Sequence, residues 1–332
     1  MRTNLCDKLG IEIPIIQAPM GGAAGPKLAA AVSNSGGLGT LPLWIEDITN
    51  LRRLVGEMKS LSSKPFAVNL NLEHPQEERL DACLELGVPI ISFFWGQSPK
   101  MVSWAKAGGA IVLQTVGSAE EARTAVQSGV DVIVAQGWEA GGHVKGTVAT
   151  MALIPSVVDA VAPVPVVAAG GIADGRGLAA ALALGASGVW IGTRFMASEE
   201  IGIHPYFRER LFKATENDTV HLENLFDINW PNAAHRTLRN KTVTDWEAAG
   251  QPEPGKRPGE GDVVAISKSV GEIFRYHCCT PAADVEGDIE AMSMWCGQGV
   301  GLVKKLQPAA EILNEIHDQG SSILKRLSAM SV

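Results

Sequence analysis

The chain has 332 residues, 46% of them hydrophobic and 36 of them glycine, too many for one small core and right for one barrel with additions or for two modest domains. A net charge of -8 argues against nucleic acid or an anionic membrane as the main partner and for a small molecule. Five cysteines without a CxxC pair, no histidine pair at metal-ligand spacing and no apolar run near the ~18 residues of a membrane span argue against a disulfide framework, a metal site and a spanning helix. The N-terminus shows no signal-peptide pattern, so the expected location is cytoplasmic.

In chain order, residues 13–19 (IPIIQAP) read as a buried strand that enters a glycine-rich loop, Pro19-Met20-Gly21-Gly22. Pro26 opens an alanine-rich helix that Gly36-Gly37 ends. The cycle then repeats, with strands predicted at 39–43, 66–72, 90–95, 110–116, 130–135, 164–169 and 188–191. Helices are predicted at 45–61, 76–86, from Ser98-Pro99, after Ser118, at 151–161 and at 176–184, with Ser118 and Glu121 forming a capping box. Eight strands alternating with helices imply a parallel sheet covered on both faces. Eight units favour the closed (β/α)8 TIM barrel over an open sheet, here across 1–198.

The rhythm breaks at 199–286, read as a mostly helical insertion, a second small domain capping the substrate side after the eighth strand, with an exposed loop at 250–261. The segment 287–332 turns apolar again and is expected to return to the barrel.

The chemistry is placed in AQGWEAGGHVKG, residues 135–146, which follows an apolar run and sets one imidazole, His143, among four glycines. Glycine permits backbone angles and close approaches that a side chain would block, so a planar ligand could lie against this loop beside His143. Gly170-Gly171 and Gly192-Thr193 end the seventh and eighth strands, where such barrels often hold a phosphate. Gly170 to Gly175 is not followed by the Lys and Ser/Thr of a nucleoside-triphosphate loop, and no GxGxxG opens a helix after the first strand, so a mononucleotide phosphate fits better. Gln17, Asn69, Asn71, Gln114 and Gln136 interrupt or end apolar runs, where a buried amide needs a partner. One or two of them can tie strands together; five suggest a ligand with several hydrogen-bonding groups. His74 and His204 precede prolines and read as turn residues, while His221, His235 and His277 fall in the insertion.

Through IPIIQAPMGG, FAVNLNL, AQGWEAGGH, VVAAGGIADGRG, GVWIGTRF and WCGQG the chain resembles the FMN-dependent nitronate monooxygenases, formerly 2-nitropropane dioxygenases. Relatives of that family include NADH:quinone reductases and flavin enoyl-ACP reductases. The resemblance implies an FMN across the barrel mouth. Pro19, Met20 and Gly21 would line its ring, Asn69 or Asn71 and Gln114 would bond its polar edge or ribityl chain, and Gly142 would approach it. Gly170, Gly171, Gly192 and Thr193 would take the phosphate, and Gln298 would close the site. His143 matches the family's base, which takes the α-proton of a nitroalkane or orients a nitronate. The implied reaction passes one electron from nitronate to FMN and then uses oxygen, giving a carbonyl compound and nitrite. An NAD(P)H-dependent reduction of a quinone or an enoyl thioester is the alternative. The implied partners are the small-molecule substrate and oxygen, with room for a homodimer. Some nitronate enzymes surround their substrate with tyrosines, whereas this chain has only Tyr206 and Tyr276, leaving Phe93, Phe94, Trp95, Trp138 and Trp230 as candidate pocket walls.

Overall fold

The computed structural model describes residues 1–330. A short helix, α1 (Asn4–Leu9), precedes the first strand, β1 (Ile15–Gln17). Helix α2 (Pro26–Asn34) leads to β2 (Gly39–Pro42), α3 (Ile48–Leu61) to β3 (Phe66–Asn71), and α4 (Glu77–Glu85) to β4 (Ile90–Phe94). Helix α5 (Pro99–Ala107) leads to β5 (Ile111–Val116) and α6 (Ala119–Gln127) to β6 (Val132–Gln136). A two-residue strand, β7 (Gly142–His143), lies outside the barrel, after which α7 (Thr150–Val161), β8 (Val166–Ala169), α8 (Gly175–Ala183) and β9 (Gly188–Ile191) complete it. The expected eight-stranded TIM barrel is present, its strands parallel in the order β1, β9, β8, β6, β5, β4, β3, β2.

A side chain helps to close the barrel. Between β1 and β2 the ladder is reduced to a bridge of Ile16 with Leu38, so the neighbouring backbone groups of β2 need another partner. Gln17 supplies it: its Oε1 accepts from Thr40 N at 3.0 Å and its Nε2 donates to Thr40 O at 3.2 Å and to Ala18 O. Strand alternation divides the apolar residues into two layers. Ile16, Leu38, Ala67, Ile90, Leu113, Val132, Val134 and Val167 fill the barrel and meet Leu5, Cys6 and Leu9 of α1; Val68, Phe93, Val112, Ile133 and Ala168 face the helices.

The segment 199–286 differs from the helical cap expected. It holds α9 (Pro205–Lys213), β10 (Thr219–Leu222), β11 (His235–Leu238), α10 (Lys241–Ala248), β12 (Val263–Ser267), β13 (Gly271–Phe274) and β14 (Val285–Gly287). Each strand is three to five residues long, too short for its alternation to stand out against a helical period. Strands β10, β11 and β7 form one small sheet and β13, β12 and β14 another. The loop at 250–261 is largely exposed but is anchored by Arg257, which is buried between Asp227 and Glu260 and sits 4.2 Å over the Tyr276 ring.

The capping box of α6 is also shifted. Ser118 Oγ accepts from Glu121 N at 3.1 Å, but the Glu121 carboxylate reaches Gly117 N at 2.8 Å, one residue beyond the reciprocal partner. The C-terminal helix α11 (Ala309–Ala329) returns to the barrel wall, where Gln319 Oε1 accepts from Gly175 N at 2.7 Å. A Cβ on Gly175 would stand 2.3 Å from Gly320 N, so the two helices meet backbone to backbone. Among the described residues no helix is long and apolar enough to cross a membrane, and no group of three or more His, Cys, Asp or Glu could hold a metal ion.

Candidate active site

His143 stands over the carboxyl ends of the strands, held from both sides. From the barrel, Gln136 Nε2 donates to His143 O at 3.1 Å. From the cap, β11 pairs antiparallel with β7, opposing His235 to His143 and Arg236 to Gly142, and Val144 N donates to Ala234 O at 2.8 Å. Arg236 adds a side-chain clamp. Its buried guanidinium lies 4.7 Å under the Trp138 ring, and its Nε and Nη2 donate to Trp138 O at 3.3 and 2.9 Å.

The His143 ring stacks on Trp230 with centroids 3.8 Å apart and planes 25° from parallel, and it also meets Trp295 at 5.3 Å, His235 at 5.9 Å and Trp95 at 6.2 Å. Burial, with the neighbouring His235 adding to it, holds the imidazole pKa well below its ordinary value, so it is neutral near pH 7. Its Nε2 is buried without a hydrogen-bond partner among the described residues. His235 is neutral for the same reason, its pKa pushed down to about 4 by burial. It donates from Nδ1 to Ala233 O at 2.8 Å and accepts at Nε2 from Phe226 N at 3.4 Å, so both nitrogens are engaged.

The five strand-end amides separate into roles. Gln17 closes the barrel, and Gln136 holds the His143 backbone. Asn69 Nδ2 donates to Ser92 O at 3.2 Å and Ser92 Oγ at 3.3 Å, tying β3 to β4. Gln114 Nε2 turns to the carbonyls of Phe93, Gly96 and Thr115 at 3.2–3.4 Å. Asn71 differs: its Oδ1 accepts from Glu73 N at 3.0 Å, but its fully buried Nδ2 has no acceptor among the described residues.

The predicted glycines serve different ends. A Cβ on Gly142 would meet nothing within 4 Å, so its φ of 72° requires glycine and the space beside it is open. The close approach belongs to Gly141 instead, where a Cβ would lie 2.3 Å from the backbone of Cys296 and Gly297. Thr193 Oγ1 accepts from Gly297 N at 2.9 Å, so WCGQG is pinned between the His143 loop and the end of β9. Gly170, with φ of 107°, packs against Thr150, since a Cβ there would be 2.9 Å from Thr150 Oγ1.

Gly171 and Gln298 meet across a groove of about 430 Å³ that Glu139, Glu216, Gly299, Gly301 and Leu302 also line. The Glu139 carboxylate is engaged by Thr150 N and Oγ1 at 2.8 and 2.9 Å. Gly192 and Thr193 lie outside this groove, Gly192 next to Ala18 and Met20. Gly21 faces the Trp44 indole nitrogen, 3.7 Å from where its Cβ would be, and Gly21 O accepts from Thr280 Oγ1 at 2.7 Å.

A planar, phosphate-bearing cofactor such as FMN fits these residues: Asn71 Nδ2 is buried and unpartnered, the backbone at Gly142 is open, and left-handed Gly171 edges the groove.

Of the candidate pocket walls, Phe94, Trp95 and Trp230 converge, whereas Phe93 is buried in the layer between barrel and helices and Trp138 sits on the outer side of its loop against His221. Trp44 and His74 join the cluster, stacked on each other at 5.4 Å with centroids 5.3 and 6.2 Å from Trp230. Sequence reasoning passed over His74 as a turn residue because proline follows it. The signal it missed is that Trp44, like Trp95, comes within two residues of a strand end. Arg236 and Trp295 were also missed, since nothing local marks a residue that acts across the chain.

The family model for nitronate monooxygenase matches residues 2–319. The chain is 38% identical to the (3aS,4S,5R,7aS)-5-hydroxy-7a-methyl-1-oxo-octahydro-1H-indene-4-carboxyl-CoA dehydrogenase of Rhodococcus jostii, over 99% of this chain and 98% of that one. It is 32% identical to a probable nitronate monooxygenase of Staphylococcus aureus, over 98% of this chain and 99% of that one. Among solved structures it is similar to FabK from Thermotoga maritima, with a TM-score of 0.85, 34% identity and 99% of both chains covered.

Proposed function

The chain belongs to the nitronate monooxygenase family and is an oxidoreductase, and we propose that it uses FMN and oxygen to convert alkyl nitronates to a carbonyl compound and nitrite. The observation that carries this reading is the neutral, buried imidazole of His143 with an unengaged Nε2 at the barrel mouth. With Nδ1 protonated, Nε2 is the acceptor for the α-proton of a nitroalkane, or for a hydrogen bond that orients the substrate. Trp44, Trp95 and Trp230 keep water from that nitrogen, and the β7–β11 pairing fixes its position. Asn71 Nδ2, the open face at Gly142 and the groove of Gly171 and Gln298 would hold the cofactor. Bound FMN would supply the electron acceptor. Pro19, Met20 and Gly21 would line its ring, and the backbone around Gly170, Gly192 and Thr193 would support its phosphate end.

A second reading is redox chemistry on an acyl thioester or a quinone with NAD(P)H. It is favoured by the Rhodococcus relative, whose name gives a fused-ring CoA thioester as its substrate. Purified protein should be yellow, release FMN on denaturation and consume oxygen when given a nitronate. Protein without flavin, or flavoprotein that leaves oxygen untouched, contradicts the first reading. Rapid anaerobic bleaching of the flavin by NADH selects the second.

A further inference from the structure

Beside His143 stands a hydrogen-bond donor that the protein itself never uses. The Trp230 indole is 2% exposed and stacks on His143 at 3.8 Å, with Trp44 and Trp95 at 5.3 Å and Phe94 at 6.1 Å between centroids. An indole N–H can only donate. The Trp44, Trp95 and Phe94 rings offer it no lone pair, and it bonds to neither His143 nor His74. Of the chain's eight tryptophans, Trp230 alone has a buried Nε1 without an acceptor among the described residues, whereas Trp246 gives its N–H to Pro252 O at 2.9 Å. A buried donor left unpaired carries the full desolvation penalty, so such groups are rare unless a ligand completes them.

The chain that carries this donor is fixed in place. Trp230 N donates to Asp227 O at 3.0 Å, and the Asp227 carboxylate accepts at 2.7 Å from the buried Arg257 guanidinium, which also reaches Leu225 O at 3.0 Å. Ile228 is held on both sides, its N donating to Tyr276 O and its O accepting from Cys278 N, each at 3.2 Å. Between these anchors Asn229 takes a left-handed φ of 78°, which asparagine tolerates. The indole is thus oriented by a buried ion pair and by backbone bonds. A dipole fixed in this way needs no reorganisation when charge appears in front of it.

We propose that Trp230 is a second catalytic residue, whose Nε1–H donates to the nitro oxygen of the substrate while His143 takes the α-proton. The inference rests on the nitronate reading of the mouth and adds a residue to it. Two stacked rings then present one acceptor, His143 Nε2, and one donor, Trp230 Nε1–H. In a nitroalkane the acidic hydrogen and a nitro oxygen are the two ends of an H–C–N–O chain, so a single molecule can meet both. In the step the α C–H bond breaks, its proton goes to His143 Nε2, and the electron pair moves through the C–N bond onto the nitro oxygens. One of those oxygens accepts from the indole, which gives up no proton. A nitro oxygen is a weak acceptor in the neutral compound and a strong one in the anion, so the bond tightens as charge develops and favours the transition state over the bound substrate.

The test compares Trp230→Phe, which keeps an aromatic ring and loses the donor, with Trp230→Tyr, which differs from it by one hydroxyl. Binding is measured by calorimetry on the protein as purified, without turnover. The probes are isobutyrate, an inert planar anion shaped like the nitronate of 2-nitropropane, and neutral 2-nitropropane itself under anaerobic conditions. Trp230→Phe should bind isobutyrate about 10- to 100-fold more weakly than wild type, the range for one hydrogen bond to a charged group, and should bind 2-nitropropane as wild type does. Trp230→Tyr should recover part of the lost anion affinity. Anaerobic bleaching by 2-nitropropane should slow about a hundredfold in Trp230→Phe. Equal isobutyrate affinity in wild type and Trp230→Phe, no isobutyrate binding to wild type, equal losses for the anion and the neutral compound, or loss of FMN from Trp230→Phe overturns the inference. Failure of the proposed function is distinguishable: a protein that ranks isobutyrate as wild type, Tyr, Phe yet leaves nitroalkanes and nitronates unchanged loses the reaction and keeps the donor.

Discussion

His143 works through what its surroundings withhold. Its histidine neighbour is held neutral and burial penalises protonation, so the imidazole stays a base through neutral pH. Replacing it with alanine should lower kcat/KM by about 10²–10⁴-fold. In the wild type, kcat/KM should be flat from neutral pH upward and fall only in acid, as pH drops through the depressed pKa of His143. A profile that falls instead with a midpoint near 6.5, the usual value for an exposed imidazole, counts against this assignment. At neighbouring glycines the geometry predicts unequal costs. Gly142→Ala meets only an unfavourable φ, worth roughly 1–2 kcal/mol, whereas Gly141→Ala drives a methyl into the backbone of Cys296 and Gly297 and should cost at least about 3 kcal/mol. Melting curves of the two variants check the order. That His143 and its glycines stand together at a strand end was legible in the sequence, because strand-end position and residue type are local; what each glycine packs against depends on Cys296, more than 150 positions away.

At the scale of elements, the barrel was readable because most strands are short apolar runs followed closely by glycine or proline, and α2, α5 and α6 carry their start signals in Pro26, Ser98-Pro99 and Ser118. The cap was not. Strands of three to five residues interleaved with His, Arg and Thr leave too little period to read, and β7 is a strand only because β11 lies beside it. That pairing brings the 199–286 segment against the candidate site. Arg236→Gln should loosen the Trp138 carbonyl and with it the His143 loop, reducing kcat by roughly tenfold or more, as small misplacements do, while Arg236→Lys restores little because it lacks the paired N–H geometry. Equal activity and equal pH profile in all three proteins would show that the clamp plays no part in placing His143.

For the whole molecule, shared backbone pairing between barrel and cap predicts one cooperative unfolding transition, with calorimetry and tryptophan emission reporting the same midpoint. Two separated transitions would mean that the cap melts on its own. The buried histidines also set an acid limit. His143, His235, His221 and His277 all have pKa values depressed by burial, so the unfolded chain binds more protons than the folded one below pH 6.5. Stability is therefore full above the unfolded value and is lost as pH falls from about 6.5 toward 4, with His235 alone accounting for roughly 3 kcal/mol. Denaturant midpoints at pH 7.5 and 5.0 should differ accordingly, and equal midpoints would contradict the burial of these rings. The central claim, an FMN oxidoreductase in which His143 Nε2 accepts the substrate's proton, is tested most directly by mixing the flavin-loaded enzyme anaerobically with a neutral nitroalkane or with its preformed nitronate. Wild type should bleach with both, and His143→Ala should keep its response to the nitronate but lose at least about a hundredfold in rate with the neutral nitroalkane. A variant that bleaches as fast as wild type with the neutral compound would contradict the claim.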